Sequence, residues 1–77
     1  MRILIAEDDA LSRELLSSTL KKLGHHIIVT GDGQEAWEVF QQRENIQVLI
    51  SDWIMPHIDG LKLCRLVRTL RRSPIYL

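Results

Sequence analysis

Two short apolar runs in this 77-residue chain each deliver carboxylates at their C-terminal end. Arg2-Ile3-Leu4-Ile5-Ala6 leads into Glu7-Asp8-Asp9, and Ile46 to Ser51 leads into Asp52. If the two runs are neighbouring strands, three or four carboxylates meet at one edge of a sheet. Clustered negative charges repel, so such an arrangement costs stability unless a cation neutralises them. A hard divalent ion such as Mg²⁺ suits the position, because it takes octahedral oxygen ligands from protein, water or phosphate.

Each carboxylate also has a plainer reading. An acidic run before a helix commonly serves capping, since carboxylates near a helix N-terminus are stabilising. Glu7-Asp8-Asp9 alone fits either reading, with Asp9 expected to be only a cap. Asp59, in front of Gly60, is expected to cap the helix that follows. Asp52 ends a wholly apolar strand and is followed by Trp53 and Ile54 rather than a helix, so it has no capping duty.

The elements that must position these groups follow from periodicity. Arg2 to Ala6 reads as a buried strand. From about Ala10 to Leu23 the residues Leu11, Leu15, Leu16, Leu20 and Leu23 recur at helical spacing, and Gly24 supplies a stop. His26 to Thr30 is a second strand, rich in β-branched residues. Asp32 with Glu35 three residues on resembles a helix-opening box. The helix it opens turns Ala36, Trp37, Val39 and Phe40 inward and ends near Arg43. Ile46 to Ser51 is the third strand.

A loop containing Pro56 leads to a third helix, with Leu63, Leu66, Val67 and Leu70 on one side and Lys62, Arg65, Arg68, Arg71 and Arg72 on the other. Ser73-Pro74 breaks it, and Ile75-Tyr76-Leu77 begins a fourth strand. Strand–helix alternation with near-continuous apolar strands predicts an α/β fold with a parallel sheet covered on both faces. In such sheets ligands bind beyond the carboxyl ends of the strands, where strand order reverses.

Composition narrows the function classes. Hydrophobic residues at 45% and charged residues at 26% are ordinary for a globular protein. The chain has no membrane-spanning run and no signal-peptide pattern. Cys64 is the only cysteine, which excludes an internal disulfide, and His25, His26 and His57 show no zinc-ligand spacing. A reduced, cytoplasmic setting is expected, without a membrane. The zero net charge hides a split: all ten acidic residues lie at or before Asp59, and five of the ten basic residues lie after it. The basic helix face lacks aromatic interleaving and a recognition motif, so direct nucleic-acid binding by this segment is not expected. His25 and His26 read as exposed turn residues, and Trp37 and Phe40 as packing residues.

Three stretches carry a specific resemblance. Ala6-Glu7-Asp8-Asp9-Ala10, Gly31-Asp32-Gly33-Gln34-Glu35-Ala36, and Ser51-Asp52-Trp53-Ile54-Met55-Pro56-His57-Ile58-Asp59-Gly60 match, in order and spacing, the receiver domains of bacterial two-component response regulators. The third is the most specific, with an Asp, then Met-Pro, then Asp-Gly after an apolar strand. The resemblance covers the whole chain. It implies a flavodoxin-like (CheY-like) doubly wound parallel sheet with strand order 2-1-3-4-5, which makes the first and third strands adjacent.

The resemblance further implies that Asp52 is the phosphoacceptor. Asp8 would bind Mg²⁺ directly, Glu7 directly or through water, and the Ile54 backbone carbonyl would be a further ligand. The Ile54 side chain would tune water access, and Pro56 and Gly60 would shape the loop. The implied partner is a sensor histidine kinase or histidine phosphotransfer protein, and the implied role is a signalling module rather than an enzyme. An aspartyl phosphatase would carry a second Asp where Ile54 stands. The competing reading is a degenerate receiver-like interaction module without phosphotransfer.

Residues 1–77 are expected to form one incomplete domain, βαβαβαβ, truncated after the start of the fourth strand. The family's Ser or Thr after the fourth strand, and its Lys and aromatic residue of the fifth, would lie past Leu77. A working switch is therefore not expected of these residues alone. The Arg71 to Leu77 ending faintly resembles receivers joined to diguanylate cyclases. A small chain with a bare sheet face is expected to self-associate or to pair with a missing C-terminal half. A monodisperse monomer that unfolds cooperatively would refute that expectation.

Overall fold

The computed structural model describes residues 1–52 and 57–70, together with the backbone of 75–76. The elements are β1 (Arg2–Ala6), α1 (Ala10–Lys22), β2 (His26–Thr30), α2 (Gly33–Gln42), β3 (Val48–Ser51), α3 (Gly60–Thr69) and β4 (Ile75–Tyr76). Each helix begins where an aspartate supplies the cap. Asp9 accepts from the Ser12 N–H, Asp32 from that of Glu35 and Asp59 from that of Lys62, each at 2.8 Å. Each bond satisfies one amide that the first helical turn leaves without a partner. α1 ends at Lys22 with Leu23 as its C-terminal cap, and Gly24 follows with φ 88°, a left-handed conformation open to glycine without strain.

The strands form one parallel sheet in the order β2-β1-β3-β4, so β1 lies between β2 and β3. Ala6 stands level with Thr30 on one side and with Ser51 on the other. The three C-terminal strand ends are therefore flush. β3 begins at Val48, two residues later than the apolar run suggests. Ile46 is buried but lies outside the ladder. Gln47 bonds across to β1 through both its backbone N–H, to the Arg2 carbonyl, and its side-chain Oε1, which takes the Arg2 N–H.

Alternation along β1 sorts its side chains to two faces. Leu4 and Ala6 join Leu49, Ala36, Phe40, Ile46, Ile58, Leu63 and Val67 in a core beneath α2 and α3. Trp37, Val39, Leu66 and Leu70 pack against it, which matches the faces read from helical spacing. Ile3 and Ile5 go to the other face, where with Val48 they meet Leu16 and Leu20.

Among the described residues that second face has one helix where the first has two. Of the five leucines at helical spacing in α1 and its C-terminal cap, only Leu16 and Leu20 reach the core, while Leu11, Leu15 and Leu23 are 67%, 61% and 68% exposed. Periodicity identified the apolar stripe, but a single helix on a flat sheet buries only its innermost row. Among the described residues, no helix is long and apolar enough to cross a membrane.

Candidate metal and acceptor site

Glu7 and Asp52 are the first residues past the ends of β1 and β3, and the ladder continues far enough to hold both. The Glu7 N–H donates to the Thr30 carbonyl at 3.2 Å, and the Asp52 N–H donates to the Ala6 carbonyl at 3.0 Å. The Thr30 hydroxyl, fully buried, donates to the Ile5 carbonyl at 2.6 Å and ties β2 to β1 one residue below the site. Flush strand ends thus place two acidic residues side by side, and Asp8 follows Glu7.

Carboxylate oxygens of Glu7, Asp8 and Asp52 all lie within 4.8 Å of one another. Asp8 is exposed, and Glu7 and Asp52 are half-buried. Burial raises the Glu7 carboxyl above its ordinary range. The hydrogen bond from the Asp9 N–H to Glu7 Oε1 (3.0 Å) opposes this, and repulsion from Asp52, Asp8 and Asp9 adds to it. Asp9 behaves differently. Its bonds from the Ser12 side chain and backbone, with help from the Arg13 charge, hold it below the usual carboxylate range. Asp9 is a cap, as its position before α1 suggested.

The donor set fits Mg²⁺. All three groups offer hard carboxylate oxygen, and opposite ligands of an octahedral Mg²⁺ stand roughly 4 Å apart, within side-chain adjustment of the spacing found. The fourth ligand expected from the sequence, the Ile54 carbonyl, lies outside the described residues, as do Trp53, Met55 and Pro56. The described chain resumes at His57, exposed and with φ 68°. Ile58 is buried, and Asp59 caps α3.

The family model for the response regulator receiver domain matches residues 3–77. The chain belongs to that family. It is 36% identical over 73 residues to a chemotaxis protein CheY homolog of Campylobacter jejuni, covering 94% of this chain and 56% of that protein. It is 41% identical over 64 residues to the response regulator receiver protein CpdR of Brucella abortus, covering 83% of this chain and 52% of that protein. The chain therefore spans about half the length of these curated relatives.

Among solved receiver domains, that of the hybrid histidine kinase CckA superposes with a TM-score of 0.91 at 32% identity, over 99% of this chain and 71% of that one. The response regulator TrrA of Thermotoga maritima, solved in complex with Mg²⁺-BeF, gives 0.89 at 32% identity, over 97% and 64%. The receiver fold is flavodoxin-like, and the order β2-β1-β3-β4 agrees with it. Receiver domains are signalling modules of two-component systems.

Three features escaped the sequence reading. Half-buried Arg13 donates from Nη1 to the Glu7 carbonyl at 3.1 Å. Gly33 abuts the Ile58 carbonyl so closely that a Cβ there would overlap it. His25, expected in an exposed turn, is half-buried with Nδ1 3.1 Å from the Met1 amine. None has a type-and-spacing signature, because each contact depends on how separate elements pack.

Proposed function

We propose that this receiver accepts a phosphoryl group on Asp52 from the phosphohistidine of a sensor histidine kinase or histidine phosphotransfer protein. The observation that carries the reading is the meeting of Glu7, Asp8 and Asp52 oxygens within 4.8 Å at the ends of adjacent strands. An Asp52 carboxylate oxygen attacks the phosphorus and forms an acyl phosphate. The P–N bond breaks, and its electron pair stays with the imidazole.

Phosphoryl transfer has a loose transition state, so acceleration comes mainly from positioning and charge neutralisation. Bound Mg²⁺ supplies the neutralising charge, and Glu7, Asp8 and Asp52 are the residues that would hold it, with the Ile54 carbonyl as the further ligand proposed from the family pattern. The backbone bonds of Glu7 and Asp52 to β2 and β1 fix where those two residues leave the sheet. Water later hydrolyses the acyl phosphate and restores the carboxylate.

Two measurements test this. MgCl₂ should change tryptophan fluorescence saturably, because Trp53 adjoins Asp52 in sequence. Acetyl phosphate with MgCl₂ should add the mass of one phosphoryl group to the protein, and to neither an EDTA-treated sample nor Asp52→Asn. Absence of both responses in the unaltered protein refutes the acceptor role and favours an interaction module that only shares the fold.

A further inference from the structure

The Glu7 carbonyl belongs to the peptide unit that joins Glu7 to Asp8. A peptide unit is planar, so holding its oxygen fixes the plane from which both acidic side chains depart. That oxygen accepts from Arg13 Nη1 at 3.1 Å. Arg13 itself sits in the first turn of α1, where its N–H donates to the Asp9 carbonyl at 2.9 Å.

The guanidinium has a second neighbour. A Cβ built on Gly31, in the connection from β2 to α2, would stand 3.0 Å from Arg13 Nη1. Glycine at that position leaves the room that the guanidinium fills. One half-buried group therefore spans α1, the β1–α1 connection and the β2–α2 connection.

We infer that Arg13 is a positioning residue for the acidic site, acting through the Glu7 carbonyl to set the Glu7–Asp8 peptide for cation binding. The inference rests on reading Glu7, Asp8 and Asp52 as a Mg²⁺ site. Its sign separates it from simple electrostatics. A positive charge near a cation site opposes cation binding, so by charge alone removal of Arg13 would tighten Mg²⁺. As a positioning group, its removal loosens the ligands, and losing support behind a metal ligand typically weakens affinity about 10- to 100-fold.

The test is calorimetric titration of MgCl₂ into the full 77-residue chain and its Arg13→Met and Arg13→Lys variants. Circular dichroism and melting temperature, with and without MgCl₂, accompany each titration. Arg13→Met should raise the Mg²⁺ dissociation constant about tenfold and shrink the Mg²⁺-induced rise in melting temperature. Arg13→Lys keeps the charge but has one compact donor group and should recover part of the affinity. It also keeps the test open should the Met variant not fold.

Unchanged or tighter Mg²⁺ binding in a folded variant overturns the positioning role. So does a lower melting temperature with an unchanged dissociation constant, which marks a purely structural part. Failure of the unaltered chain to bind Mg²⁺ is a different result: it removes the site reading itself.

Discussion

The surroundings of Glu7 favour its protonated form more than water does, whereas a cation calls for the ionised one. Its carboxyl, raised by burial and by Asp52, Asp8 and Asp9, binds its proton more tightly in the fold than in the unfolded chain. The stability it contributes is thus complete below the ordinary value of 4.5 and is lost as pH rises through the raised value. Mg²⁺ needs the ionised form, so Mg²⁺ affinity should climb over that same window above pH 4.5. Titrations at stepped pH should place the midpoint of the climb above 4.5, and Glu7→Gln should flatten it. A midpoint at or below that value would contradict the raised carboxyl. Asp9 runs the other way: its lowered carboxyl contributes stability above 3.8 that disappears as pH falls.

Asp52→Asn separates stability from binding. It removes one of three mutually repelling charges, so without metal the variant should be equally stable or up to about 1 kcal/mol more stable, given screening at this open site. Mg²⁺ should then stabilise the variant less than the unaltered protein. Paired melts with and without MgCl₂ measure both effects, and clear destabilisation of the metal-free variant would show that repulsion is not the dominant force there.

The connections between strands and helices govern where those groups stand, and at Gly33 the start of α2 meets one of them with no room for a side chain. Its α-carbon, at the start of α2, lies against the carbonyl of Ile58, which belongs to the connection between β3 and α3. Gly33→Ala must push the start of α2 and this connection apart. It should cost about 1–3 kcal/mol, the usual toll of overpacking, and weaken Mg²⁺ binding by displacing Ile58. Chemical denaturation and Mg²⁺ titration of the variant check both. A melting curve unchanged from the unaltered protein would mean that the approach relaxes freely.

The elements themselves were legible because Asp9, Asp32 and Asp59 mark helix starts, and short apolar, β-branched runs mark strands. The meeting of the acidic groups was legible because adjacency of the first and third strands brings two distant acidic segments together. Arg13 and the Gly33–Ile58 approach were not, since one is a side chain meeting a backbone oxygen and the other a missing side chain. Residue types do not announce either contact.

Among the described residues the two faces of the sheet are unequally covered, and this predicts how the 77-residue chain should behave in solution. Leu11 and Leu15 present exposed apolar surface on α1, over a core limited to Ile3, Ile5 and Val48. A chain this short buries only about 60% of its unfolded surface, so burying those leucines against another surface is favourable. The chain should self-associate with rising concentration, and Leu15→Gln should reduce association at little cost to the fold. Sedimentation velocity decides between this and a concentration-independent monomer. Spacing revealed the stripe on α1 but not what lies over it, because coverage depends on the rest of the assembly rather than on one helix.

The flush strand ends give the two rims of the sheet different tolerances for change. At the upper rim, inserting one residue before Asp52 within β3 would reverse which face of the sheet its side chain meets, because strand side chains alternate. The lower rim carries no such condition. The turn of Arg43, Glu44 and Asn45 is exposed and lies at the opposite ends of the strands from Glu7 and Asp52. Length variation, a fluorescent tag or a spliced-in peptide between Glu44 and Asn45 should leave Mg²⁺ titrations unaltered, whereas a single residue added inside β3 should abolish them. The protein can therefore lengthen at one end of its sheet while the other stays fixed in length.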